Sequence, residues 1–284
     1  MSKELKFISP LYNTTFKYLW KEDKCKKWLS RLIYLITNVD LSEYYPYDQE
    51  LNSGNDFKDY RLDILFVKDI QNFKDSDAIN IEMYKKYNES DAFKSHAYIF
   101  RLLGFSYDKG SAYKNKKVIQ VNFNDGEFKY DKDISLLCYQ LKDKNTDYYL
   151  DDLKIYDVFL NKYKGICYNG ANELDAMLSL ISASSYDKMR EIANGNKEAL
   201  RIVEELEKLA VDEEFYGVYN NEKVQRKLQN TAKQIGYEEG LEQGKIEEKL
   251  EIAKNLLKMN LPLEQISEVT GVNLEDIEKM YKEL

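Results

Sequence analysis

The sequence predicts an α/β protein, in which a mixed central β-sheet is flanked by helices and an all-helical region follows at the C-terminal end. In the first part of the chain, apolar runs bounded by polar loops lie between segments of helical spacing. From residue 171 onward only helical spacing recurs. Strands enclosed between helices favour a mixed sheet with helical layers. We predict two domains, residues 1–220 and residues 221–284.

The composition is typical of a globular chain. Of the 284 residues, 43% are hydrophobic and 32% are charged, and the net charge is −8. No run of about 20 apolar residues occurs, so no segment is predicted to span a membrane. The most apolar stretch near the N-terminus contains Arg31 and lacks the layout of a signal peptide. We therefore expect a soluble, cytoplasmic protein.

The elements of the first domain follow from the spacing of apolar residues. A helix is predicted to begin near Asp23, because apolar residues then recur at intervals of three and four. Residues 61–67 and 78–83 each have the pattern of a strand, and the short loop between them predicts an antiparallel hairpin. The remaining predicted elements are a helix over 91–103, strands over 117–123, 134–141 and 153–160, and helices after 171.

The predicted tail is helical and acidic. Gly236, Gly240 and Gly244 repeat every fourth residue in a segment rich in Glu, Lys and Gln. This repeat is as typical of a close approach between helices as of a loosely helical linker. Two short amphipathic helices then follow, joined at Gly271 in a pattern that resembles a helix-turn-helix.

The charge of the second short helix argues against DNA recognition. Its first turn carries Glu275, Asp276 and Glu278, and DNA phosphates repel acidic side chains. The pattern therefore favours self-association through the C-terminal helices, or contact with another protein.

The single histidine and the dispersed cysteines exclude several kinds of site. His96 alone cannot build a zinc site that needs two or three histidine ligands. Cys25, Cys138 and Cys167 contain no C-x-x-C pair. No G-x-x-x-x-G-K-[ST] or G-x-G-x-x-G loop occurs to hold a nucleotide. Any catalysis must come from carboxylates, lysines and a bound metal ion.

Asp63 and Glu82 are the candidate active centre, because each interrupts an apolar strand. A hairpin whose paired residue numbers sum to 145 places Asp63 opposite Glu82 and Leu65 opposite Asn80. Adjacent carboxylates repel each other, and a divalent metal such as Mg²⁺ would relieve that repulsion and activate a water for attack on a phosphodiester. The alternative is that either acid points to solvent from a half-exposed strand. The spacing does not choose between the two.

Two segments of this hairpin, Arg61-Leu62-Asp63-Ile64 and Asn80-Ile81-Glu82-Met83, are similar to the D…E-x-(Q/K) core of PD-(D/E)XK nucleases. More narrowly, the chain resembles the recombination-promoting nuclease group, also described as PD-(D/E)XK nuclease family transposases. Asn13-Thr14-Thr15-Phe16-Lys17 resembles the D-x-x-F-K segment of that group, and Gly110-Ser111-Ala112-Tyr113 resembles its G-x-x-Y element. The tail, from the helix with a glycine every fourth residue through Gly271, resembles its C-terminus.

The resemblance implies a restriction-endonuclease-like core and an endonuclease that hydrolyses DNA phosphodiester bonds with Mg²⁺ or Mn²⁺. It also implies a link to DNA recombination or mobile elements. On this basis Asp63 and Glu82 are the metal ligands, with the backbone carbonyl of Met83 as a further ligand. Asn13 departs from the family pattern, because related proteins often carry an acid there.

Tyr84 is a second departure, because it stands where the family has Gln or Lys. Lys86 shares the strand face of Tyr84 by parity and completes the candidate catalytic set of Asp63, Glu82, Tyr84 and Lys86. Lys17, Lys94 and Arg101 are further candidates for the missing cation.

A neutral tyrosine at that position predicts slow cleavage that improves on Tyr84→Lys or Tyr84→Gln. The alternative function is a catalytically degenerate nuclease fold that binds DNA or a protein without cutting.

Overall fold

The computed structural model describes residues 5–47, 62–85, 89–104, 115–128, 131, 133–169 and 172–283. The chain forms two compact units, Met1–Glu222 and Lys223–Leu284.

A six-stranded mixed sheet forms the centre of the first unit, which confirms the predicted α/β class. Its strands are β1 Tyr45–Tyr47, β2 Ile64–Val67, β3 Ala78–Lys85, β4 Val118–Asp125, β5 Leu136–Lys142 and β6 Tyr149–Phe159. The spatial order is β1-β2-β3-β4-β6-β5. Strands β3, β4 and β6 are mutually parallel, and the other neighbours are antiparallel. Leu65 pairs with Asn80, so the predicted register of the β2–β3 hairpin is confirmed.

Helices flank the sheet. They are α1 Asn13–Lys21, α2 Asp23–Thr37, α3 Glu89–Gly104, α4 Glu173–Ile181, α5 Tyr186–Ala193 and α6 Lys197–Val211. Helix α2 begins at Asp23 as predicted and ends where Asn38 adopts a left-handed conformation, with its N–H bonded to the carbonyl of Tyr34. Helix α1 was not predicted, although its buried residues Phe16, Leu19 and Trp20 stand at helical spacing.

The two faces of the sheet bury different side chains. Ile79, Ile81 and Met83 of β3 belong to a large apolar cluster that also contains residues of α1, α2, α4, α5 and α6. On the opposite face, Leu65 and residues of β4 and β6 pack with Tyr98, Ile99 and Leu102 of α3. Because side chains alternate along a strand, Asn80 and Glu82 lie on the face that α3 covers.

The second unit contains the C-terminal part of α7 (Glu213–Lys258), with α8 (Leu263–Thr270) and α9 (Leu274–Glu283). Ala253, Leu257, Ile266 and Ile277 form its small apolar core. Gly271 ends α8 with a φ of 69°, a conformation that favours glycine. Throughout the described ranges, no helix is long and apolar enough to cross a membrane.

The glycine repeat lies within the continuous helix α7. A Cβ atom built on Gly236, Gly240 or Gly244 would meet nothing within 4 Å. No described part of the chain therefore packs closely on these glycines.

Glu222 holds the N-terminus of α1. Its carboxylate accepts the backbone N–H groups of Asn13 and Thr14, each at 3.1 Å, and the Thr14 hydroxyl at 2.7 Å. Tyr12 at the N-cap position provides no side-chain cap, so the carboxylate of a distant helix satisfies these donors. A negative charge is also favoured at this end of the helix dipole.

We expect Glu222→Ala to lower the free energy of unfolding by about 1–3 kcal/mol, because three donors lose their acceptor. Urea denaturation of the full chain measures the change. Asn221→Ala, one residue earlier on the same helix, is the matched control and should cost less than about 0.5 kcal/mol. Equal losses for both variants would contradict this role of Glu222.

Candidate active site

Asp63 and Glu82 lie side by side at the end of the β2–β3 hairpin. The backbone N–H of Asp63 donates to Glu82 Oε1 at 3.1 Å, and the backbone N–H of Met83 donates to Asp63 Oδ2 at 2.9 Å. The Glu82 carboxylate is therefore held by the backbone of Asp63, and the Asp63 carboxylate by the backbone of the residue after Glu82. The hairpin register is the one that the sequence predicts, and it places the two acids next to each other.

Glu82 is fully buried, and only one of its oxygens is satisfied. Oε1 also accepts a hydrogen bond from Asn80 Nδ2 at 3.1 Å, whereas Oε2 has no hydrogen-bond partner among the described residues. Burial and the nearby charge of Asp63 raise the pKa of Glu82 to about 8, although Lys94 acts in the opposite direction. The site thus holds a buried acid with one oxygen that accepts no hydrogen bond from the described residues.

Lys94 of α3 brings a positive charge to this pair. Its Nζ lies 3.8 Å from Glu82 Oε2 and 5.4 Å from the centroid of the Tyr84 ring. Burial alone would lower the pKa of Lys94, but the charge of Glu82 and further contacts outweigh it, and the pKa is raised. The side chain is 45% exposed, so a charged ammonium group lies between the carboxylate and solvent.

The structure brings two more of the candidate residues to the pair. The side-chain amide of Asn13 donates to Asp63 Oδ1. Tyr84 is buried on β3, with the Lys94 ammonium above its ring. Asn13 therefore contacts Asp63 through its side-chain amide, and Tyr84 contacts the cation.

Of the other candidates, Lys17 contacts the backbone directly before Asp63. Lys17 Nζ donates to the carbonyl of Leu62 at 3.2 Å, and Arg101 lies in the last turn of α3. Lys86 and the segment from Gly110 to Tyr113 lie outside the described residues.

A row of buried amides extends from Glu82 across the sheet. Asn80 Nδ2 also donates to Gln120 Oε1 at 2.9 Å, and Gln120 Nε2 donates to Asn122 Oδ1 at 2.8 Å. Asn122 Nδ2 then donates to Asp157 Oδ1 at 2.7 Å, and to Ser95 Oγ of α3 at 2.8 Å. The row fixes the orientation of Glu82 and bonds the sheet to the helix that carries Lys94.

The sequence carries a signal for this row. Asn80 alternates with isoleucines in β3, and Gln120 and Asn122 alternate with apolar residues in β4. Amides at every second position of an apolar strand need hydrogen-bond partners on one face of the sheet. Asp157 on β6 ends the row, and burial raises its pKa despite the hydrogen bond from Asn122.

The acidic groups of the site are few. Among the residues that the structure describes, no group of three or more His, Cys, Asp or Glu side chains is arranged to hold a metal ion.

No protein-family model, curated protein or solved structure matches this chain.

The raised pKa of Glu82 predicts how stability changes with pH. Between about pH 4.5 and 8, folded Glu82 binds a proton that unfolded Glu82 has lost, so the free energy of unfolding falls as pH rises. Relative to Glu82→Gln, the native protein should lose up to about 4 kcal/mol between pH 5 and 8.5.

Denaturation curves at both pH values measure this difference, and Glu214→Gln on exposed helix surface is the matched control. If native protein and Glu82→Gln respond to pH alike, Glu82 is not held in its protonated form.

Proposed function

We propose that this chain is a divalent-metal-dependent DNA endonuclease with a restriction-endonuclease-like core, similar to the PD-(D/E)XK nucleases of the recombination-promoting group. The observation that carries the proposal is a buried carboxylate with one unbonded oxygen, Glu82 Oε2, set against Asp63 and Lys94. An acid, a second acid and a cation on one sheet face suit a phosphodiester substrate, whose charge needs stabilisation as it reacts.

The donor atoms fit Mg²⁺ or Mn²⁺. Magnesium prefers hard oxygen ligands and often takes only one or two carboxylates, with water and substrate phosphate completing its shell. Asp63 and Glu82 would hold the ion, and the unbonded Glu82 Oε2 provides an oxygen without loss of a hydrogen bond. When bound, the ion would lower the pKa of a coordinated water and neutralise charge on the phosphate.

The protein residues have separate roles in this proposal. Lys94 offers a charged ammonium to the phosphate. In the nucleases that the chain resembles, a Gln or Lys at the position of Tyr84 has this role. The ring of Tyr84 lies beneath that ammonium and supports it through a cation–π contact. The hydrogen bond from Asn80 holds Glu82 in place. Asn13, without a charge of its own, orients Asp63.

We expect the protein to nick supercoiled plasmid DNA in Mg²⁺ or Mn²⁺ and to leave it intact in chelator. Asp63→Ala should lower the rate at least about 100-fold, because a ligand to the metal is lost. Asp147→Ala, which removes a fully exposed aspartate, is the matched control and should cut at the native rate.

The same preparations distinguish the alternative function. A native protein that binds DNA but never nicks it, with either metal, is a binding module on a nuclease fold. A native protein that neither binds nor nicks DNA contradicts the proposal altogether.

Lys94 changes what is expected of Tyr84. If the ammonium of Lys94 already serves the phosphate, Lys94→Met should lower the nicking rate by about 10²–10³. Tyr84→Lys in the Lys94→Met background should restore part of that rate, because the new ammonium occupies the same region. Tyr84→Lys alone should give no gain, because two ammonium groups would then repel each other.

Single-turnover nicking measures all three variants, and circular dichroism checks their folding. A gain in rate for Tyr84→Lys alone would show that Lys94 does not fill the place of the missing residue.

A further inference from the structure

Helix α7 contains a long stretch in which no side chain is buried. From residue 223 to residue 249, every side chain is exposed or partly exposed. Helices without tertiary packing are only marginally stable in water, and Gly236, Gly240 and Gly244 each cost roughly 1 kcal/mol relative to alanine. A helix of this kind gains stability from a partner that covers one of its faces.

An apolar stripe marks the face that a partner would cover. Val224, Leu228, Ile235 and Ile246 fall within about 40° of one another around the helix axis, at 100° per residue. Their exposed fractions are 46%, 58%, 49% and 46%. The three glycines lie on a different face, so the stripe is built from large side chains rather than from small ones.

Three of the four stripe residues are placed symmetrically about Ile235, whereas the position that mirrors Leu228 is Glu242. Val224 precedes Ile235 by 11 residues, and Ile246 follows it by 11. An 11-residue repeat is close to three turns of helix and keeps these side chains in line. An antiparallel copy of the same helix, centred on Ile235, would place Val224 of each copy opposite Ile246 of the other.

The charges on this stretch have the complementary arrangement. Residues 223–233 contain four Lys or Arg and no acid, so their net charge is +4. Residues 238–251 contain six Glu and two Lys, so their net charge is −4. Antiparallel pairing places the basic half of each helix against the acidic half of the other, whereas parallel pairing places like charges together.

We propose that α7 is a dimerisation helix, which pairs antiparallel with α7 of a second copy of this chain about a two-fold axis at Ile235. A symmetric contact of this kind uses the same surface on both copies. The occupant is a second copy rather than another protein, because the two oppositely charged halves, and the spacing of Val224, Ile235 and Ile246, are complementary to themselves. This pairing is independent of any DNA cleavage by the first unit.

Sedimentation velocity on the full chain tests the pairing. We expect the native protein to be a dimer and Ile235→Glu to weaken self-association at least about tenfold, because the axis would bring two carboxylates together in an apolar contact. Tyr237→Glu adds the same charge at an exposed aromatic residue on another face, and it should leave the dimer intact. A native monomer at all concentrations, or equal losses for both variants, would overturn the proposal.

Cross-linking tests the direction of the pairing. In a Cys138→Ser, Cys167→Ser background, chains with Val224→Cys are mixed with chains with Ile246→Cys and mildly oxidised. Antiparallel helices bring these two positions within disulfide reach, so the mixture should cross-link while each variant alone should not. Cross-linking of Val224→Cys alone would indicate parallel helices and overturn the antiparallel arrangement.

Discussion

Burial of the Glu82 carboxylate is the constraint on which the rest of the site depends. A fully buried acid loses its hydration, and the loss is offset here by the N–H of Asp63 and the amide of Asn80 on one oxygen. The second oxygen faces Lys94 at 3.8 Å, beyond hydrogen-bond distance. Because the compensation is incomplete, the pKa rises and the carboxylate is ready to gain from a cation.

The surrounding elements keep that carboxylate and its neighbours in register. The hairpin sets Asp63 against Glu82, the amide row continues through Asn122 to Ser95, and Ser95 adjoins Lys94 on α3. Glu222 accepts hydrogen bonds at the start of α1, and the side-chain amide of Asn13 in that helix donates to Asp63. Residues more than 200 positions apart in sequence therefore act on one pair of acids. Substitutions far from the pair should change its geometry through these bonds.

The sequence predicted the sheet and the acid pair because both depend on local patterns. An acid inside an apolar strand is visible without a structure, and the hairpin register follows once two strands and their loop are recognised. The cation was harder to assign. Lys94 was one of several candidates, because only the packing of α3 on the sheet brings it to Glu82. The bond from Glu222 to α1 joins residues 13 and 222, and no local pattern in the sequence indicates such a contact.

Lys94 also changes how the departure at Tyr84 is interpreted. Judged by the family pattern alone, a tyrosine at this position suggests a site that has lost its cation and with it much of its activity. In the fold, however, the ring of Tyr84 lies under the ammonium of Lys94, on the same sheet face as the acids. A lysine at position 84 would crowd Lys94, and a small residue would remove one of the two aromatic rings near its ammonium, the other being Tyr98 at 5.0 Å. Tyrosine at 84 and lysine at 94 are thus mutually consistent.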